Sequence, residues 1–202
     1  KIVKSNYSIK RTIILASASP RREKLLKKIK NDFMVIPSQA ENKIKNLNYG
    51  NPVETAERLS VLKAQDIYRR VRNCFIRKVT VIAADTVVSL SLDSGRIFGK
   101  PRNSEDAFNI LKFLSGKEQY IITGVTIIDE IKGILTFHEV TKIKFRELSD
   151  AEIQRYVQTG DPLDKAGAYG LQTPGFNFSE YVDGDMDNAC GLPVRELAKY
   201  LE

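Results

Sequence analysis

Short apolar runs alternating with amphipathic stretches predict an α/β fold, with helices packed on a mixed sheet. RTIILAS (Arg11–Ser17) and VTVIAA (Val79–Ala84) are apolar, rich in β-branched residues and short enough for buried strands. Between them, Pro52–Val71 carries Val53, Ala56, Leu59, Leu62 or Lys63, and Ile67 at helical spacing. No internal repeat or linker divides the 202 residues, so one domain is expected over 1–202, with a basic extension at 1–10.

After the Arg11–Ser17 strand, Ser19-Pro20 reads as a helix start, Ser at the N-cap and Pro at the first helical position. Leu25, Leu26 and Ile29 give that helix its apolar stripe. DFMVIP (Asp32–Pro37) reads as a second strand, and Glu41–Asn51 as a polar loop before the long helix. Val79–Ala84 ends at Asp85, and Thr86–Leu90 continues that strand or begins a partner. Phe98–Pro101 is a turn, and Asn103 or Ser104 opens a helix that Ser115-Gly116 ends after Leu114. Tyr120–Ile128 and Leu135–Phe145 are two longer strands, joined as a hairpin through Glu130–Gly133. Ser149–Glu152 is a capping box. Asp161–Gly175 is a loop within an irregular stretch reaching Leu192, long enough to suggest a functional loop, and Pro193–Leu201 is the last helix.

A hydrophobic share of 42% and a charged share of 28% argue against global disorder. No apolar run approaches the roughly 20 residues that span a bilayer. KIVKSNYSIKR is not followed by the apolar segment of a secretory leader, so a cytoplasmic protein with no membrane partner is expected. Cys74 and Cys190 are far apart and read as unpaired thiols. A net charge of +7 favours anionic partners without choosing among nucleic acid, membrane and small phosphate.

LASASPRR (Leu15–Arg22) sends a strand into a turn of small residues and then a helix. Arg21 and Arg22 stand in that helix's first turn, where the dipole disfavours cations by a few tenths to about 1 kcal/mol. An anion between the arginines and the first-turn amides reverses that sign, whereas two solvated arginines leave it in place. Asp85 sits at the carboxyl end of an apolar strand, a usual ligand position, and suits a metal ligand or general base as well as a turn cap. Lys63 and Lys100 read singly as surface lysines; with Arg22 they form a cation set suited to a triphosphate. In DKAGAYGLQ (Asp164–Gln172) the glycines permit close backbone approach, and Gln172 carries a donor and an acceptor that suit a base edge. The single histidine, His138, falls inside a strand and reads as structural or surface, which argues against a histidine-dependent triad. A Gly-rich loop ending in Gly-Lys-Ser/Thr is missing too.

With RLSVLKA (Arg58–Ala64), AADTVV (Ala83–Val88), GKP (Gly99–Pro101), LSG (Leu114–Gly116), TGV (Thr123–Val125), GDPLDKAGAYGLQ (Gly160–Gln172) and GLPV (Gly191–Val194), these segments form an ordered series from about Thr12 to Leu201. The series resembles the Maf family of nucleotide pyrophosphatases. The resemblance implies a mixed, elongated sheet flanked by helices, in two lobes with a central cleft, related to the inosine triphosphate pyrophosphatases. It implies cleavage of nucleoside triphosphates between the α and β phosphates with a divalent metal, Mg²⁺ or Mn²⁺. The family's proton acceptor falls on Asp85 and its phosphate-contacting positions on Ser19, Arg22, Lys63 and Lys100. Three selectivity positions fall on Arg21, Thr86 and Gln172, as in the branch that prefers dTTP and UTP, an activity that extends to CTP and modified pyrimidine nucleotides. A family glutamate associated with metal binding falls on Asn42 when counted from Ser19 without a gap; a shift of one residue assigns Glu41 as a metal ligand beside Asp85.

The resemblance also implies a homodimer. Two other readings compete: a house-cleaning enzyme for nucleotides such as 7-methyl-GTP, and a non-catalytic nucleotide- or nucleic-acid-binding regulator of cell division. The aromatic residues form no stacking platform, so nucleic acid is not an expected partner.

Overall fold

The computed structural model describes residues 11–40, 51–75 and 78–201. In chain order the elements are β1 (Thr12–Leu15), α1 (Pro20–Leu26), β2 (Met34–Val35), α2 (Pro52–Val71), β3 (Val79–Ser89), β4 (Ile97–Phe98), α3 (Ser104–Leu114), β5 (Glu118–Asp129), β6 (Gly133–Phe145), α4 (Asp150–Gln158), β7 (Ser179–Asp183), α5 (Met186–Ala189) and α6 (Val194–Leu201). Two short 3-10 turns, Asp161–Asp164 and Ala166–Ala168, precede β7.

A single mixed sheet in the order β2-β1-β3-β5-β6-β7 forms the spine. β1 runs parallel to both β2 and β3, and the β3–β5–β6–β7 ladders are antiparallel. On one edge of β3, the ladder to β1 ends at Ile82 and the ladder to β4 begins at Val88. The segment between those ladders faces the cleft. On one side of it β1, α1, α2 and α6 pack on the sheet; on the other, α3, α4, β4 and the 3-10 turns enclose a second core around Phe145 and Tyr156. The two-lobed α/β architecture thus follows from one long strand changing partners along its edge.

The side-chain alternation of β3 sorts the first lobe into two faces. Val79, Val81 and Ala83 pack with Ile14, Ala16, Ala64 and Ile67, under α2. Ile82 and Ala84 pack with Ile13, Leu15, Leu26 and Leu197, under α1 and α6.

Several sequence expectations change. Asp32–Pro37 shrinks to a two-residue edge strand, Met34–Val35, with both side chains exposed. Of the two readings of Thr86–Leu90, continuation of the Val79–Ala84 strand holds, and the strand ends at Ser89. Of the turn expected at Phe98–Pro101, Phe98 belongs instead to a short strand, β4, which the sequence did not suggest. The irregular stretch Asp161–Leu192 contains the two 3-10 turns, β7 and α5. The polar loop expected at Glu41–Asn51 lies outside the described residues except for Asn51, which caps α2. Cys74 and Cys190 are free thiols.

Candidate active site

Asp85 follows Ala83 by two residues and so projects to the α2 side of the sheet, where Lys63 waits. On α2, Ala56, Ser60, Lys63, Ala64 and Ile67 share the buried face, so the lysine enters the protein with the apolar stripe. Its ammonium makes a buried ion pair with the Asp85 carboxylate. Gly124, directly opposite Asp85 on β5, makes this possible. A Cβ there would lie 2.4 Å from the Ala56 carbonyl carbon and oxygen and 2.5 Å from the Glu57 nitrogen. The missing side chain lets α2 approach the sheet at backbone contact.

Thr86, one residue on, projects to the opposite side, toward α1. The Arg22 guanidinium donates to the Thr86 hydroxyl at 2.9 Å and, through Nε, to the Gly191 carbonyl at 2.7 Å. Thr86 and Thr123 hydroxyls lie 3.0 Å apart, and Thr123 donates to the Asn188 carbonyl. The Arg22 side chain is therefore held by two separate segments of the chain, and Thr123 supports the Thr86 side. At the start of α1, the Ser19 hydroxyl accepts from the Arg22 amide, as the cap requires, and Glu23 places an acidic residue in the first turn. Arg21 points elsewhere, donating to the Asp164 carboxylate at 2.8 Å and to its carbonyl at 3.2 Å. The two first-turn arginines thus have different surroundings.

The segment after α4 closes the cleft. The Lys165 ammonium donates to the Asp161 carbonyl at 2.7 Å, to the Asp161 carboxylate at 2.6 Å and to the Asp164 carboxylate at 2.8 Å. The other Asp161 oxygen accepts from the Tyr156 and Thr173 hydroxyls, each at 2.7 Å. Burial pushes both carboxyls up, but hydrogen bonds from Lys165, with Tyr156 and Thr173 at Asp161 and Arg21 at Asp164, outweigh it and hold both below the ordinary range. Gly167, at φ +68°, donates to the Gly99 carbonyl, which ties this segment to the turn bearing Lys100. A Cβ at Gly167 would also press on Val88 at 2.9 Å. Ala168 shares the left-handed conformation at φ +63°, a strained backbone beside the cleft.

Ser19, Arg21, Arg22, Lys63, Asp85, Thr86, Lys100 and Gln172 all line one cavity of about 720 Å³. Every site position expected from the sequence that lies among the described residues is therefore brought together. Glu41 and Asn42 lie outside the described residues. Among the described residues no group of three or more His, Cys, Asp and Glu side chains gathers into a metal cage. His138 lies away from the cavity and meets Glu57 at 2.8 Å on the surface. Asp161, Asp164, Lys165 and Thr173 also line the cavity, with no individual role derived from sequence. For Asp161, Asp164 and Lys165 the signal was the dense DPLDK run, whose charges are paired only by the fold.

The family model described as "Maf-like protein" matches residues 12–202. A dTTP/UTP pyrophosphatase of Ruminiclostridium cellulolyticum is 43% identical over 193 residues, covering 95% of each chain. The dTTP/UTP pyrophosphatase of Thermosipho africanus is 46% identical over 186 residues, covering 92% of this chain and 89% of its own. Among solved structures, the Staphylococcus aureus Ham1 protein superposes with a TM-score of 0.50 at 18% identity, over 95% of this chain and 98% of its own, a likeness of fold.

Proposed function

The chain belongs to the Maf-like protein family, and from that premise we propose that it hydrolyses dTTP and UTP to the nucleoside monophosphate and pyrophosphate. The observation that carries this reading is the Asp85–Lys63 pair in the same cavity as Arg22 and Lys100. Asp85 accepts the proton of the attacking water, and Lys63 neutralises and orients the carboxylate. Arg22, held by Thr86 and Gly191, clamps the triphosphate together with Lys100. Such fixed cations act where charge spreads over phosphate oxygens in the transition state. Arg21, Thr86 and Gln172 select the base.

The Asp85 carboxylate, beside the phosphate-clamping cations, fits a hard divalent ion, which is held by one or two carboxylates and the substrate's own phosphates better than by a protein cage. Asp85 would hold Mg²⁺ or Mn²⁺, with Glu41 as a second ligand, and the ion would neutralise phosphate charge.

The test is pyrophosphate release from dTTP, UTP, CTP and 7-methyl-GTP with each metal. We expect dTTP and UTP to lead, and Asp85→Asn to lose about 10²-fold or more in kcat. Release from no nucleotide overturns the enzyme reading, and a faster rate on 7-methyl-GTP replaces it with the house-cleaning reading. An unchanged rate in Asp85→Asn removes that residue's role. The homodimer and the cytoplasmic location belong to the same proposal; light scattering decides the first.

A further inference from the structure

The DPLDK run contributes a further cation to the cleft, Lys165, which the proposed phosphate clamp leaves out. Its side chain is only 10% exposed, and an ammonium has three hydrogens to donate. All three are directed at protein oxygens: the Asp161 carbonyl, one Asp161 carboxylate oxygen and one Asp164 carboxylate oxygen. None remains for a phosphate. Each carboxylate then turns its second oxygen outward in a different direction. That of Asp164 receives Arg21. That of Asp161 receives Tyr156 and Thr173, and the Tyr156 hydroxyl in turn accepts from the Gly170 amide at 3.0 Å. Gln172 lies between Gly170 and Thr173, both tied to this chain.

One continuous polar chain therefore runs from Arg21 through Asp164, Lys165 and Asp161 to the two residues that bracket Gln172. We propose that Lys165, with its two carboxylates, is a positioning element for base selection, holding Arg21 and the Gln172 segment in a single relative arrangement without touching the phosphates. The inference rests on the pyrophosphatase reading, in which Arg21 and Gln172 face the base. Its physical ground is that a polar chain anchored on the buried Lys165 ammonium, and exposed at its Arg21–Asp164 end, has fewer alternative geometries than free side chains, and small misplacements of a base-reading group are costly.

The experiment measures kcat and KM on dTTP, UTP, CTP and 7-methyl-GTP for the wild type, Lys165→Met, Asp164→Asn and Tyr156→Phe. Thermal unfolding shows which variants are folded; Tyr156→Phe, which loses one oxygen, covers the case in which Lys165→Met does not fold. The expected result is a fall of about tenfold or more in the preference for dTTP over 7-methyl-GTP, seated in KM. The preference lost on combining Arg21→Gln with Asp164→Asn is expected to be less than the sum of the two separate losses, because Asp164 acts on the base through Arg21. A wild type inactive on all four nucleotides overturns the pyrophosphatase reading itself. An active wild type whose folded variants keep the base preference within about twofold overturns this inference, whether kcat holds or falls uniformly.

Discussion

At the scale of single residues, the depth at which α2 sits decides whether Asp85 has a partner. Gly124 sets that depth, since a methyl group there would run into the backbone of Ala56 and Glu57 instead of a side chain that can swing away. Gly124→Ala is expected to cost about 1–3 kcal/mol of stability, as overpacking in a core does, and to lower kcat through displacement of Lys63. Urea unfolding with activity assays checks both, and an alanine variant of wild-type stability would show that α2 can yield. The sequence marked Asp85 well, because a carboxylate ending an apolar run is conspicuous. It marked Lys63 poorly: this lysine lies 22 residues upstream on another element, and a cation inside an apolar stripe looks like a surface lysine until the helix is docked. Local spacing alone, unlike the family resemblance, did not separate Arg21 from Arg22, since their partners Asp164 and Gly191 are 143 and 169 residues away.

At the scale of elements, legibility followed burial and capping. α4 begins where its capping box predicts, with Ser149 and Glu152 exchanging side-chain and backbone hydrogen bonds. Glu152 also receives Arg146 at 2.6 Å. Hydrogen bonds from Arg146, and then from the Ser149 amide and hydroxyl, lower its pKa from 4.5 to about 2. The folded state thus holds this carboxylate ionised at pH values where the unfolded chain would protonate it. Its contribution is complete above pH 4.5, declines as the pH falls below that value, and is gone once the pH drops through about 2. The stability difference between Glu152→Gln and wild type should therefore stay constant down to about pH 5 and narrow below it, as followed by chemical unfolding across pH. A difference that persists undiminished at about pH 2 would place the contribution in packing instead. By contrast β4, β7 and α5 were not legible. β4 has two residues, β7 is a polar edge strand whose partner β6 comes from far upstream, and α5 is a single turn. None is long enough to show a period, so tertiary pairing defines them.

At the scale of the whole molecule, the change of partners along β3 places the cleft between the lobes, and the charge of the chain acts there. Its net charge is +7, and among the described residues the cavity presents seven cationic side chains against four carboxylates. Part of that cationic excess is committed inside the protein, since Lys165 is spent on two carboxylates and Arg21 on one. The remaining field still attracts a triphosphate before any contact forms, and low-dielectric cleft walls focus it. Mobile ions screen such attraction over about 10 Å at 0.1 M salt. The buried Lys63–Asp85 pair is much less accessible to them. Salt should therefore act on capture more than on chemistry. Raising KCl from about 0.05 M to about 0.5 M is expected to raise KM for dTTP several-fold while kcat stays within about twofold, with the metal held saturating. A flat KM would mean that short-range contacts alone capture the nucleotide and that the +7 charge serves solubility. A kcat that collapses with salt would mean that ions reach the Asp85–Lys63 pair, contrary to its burial.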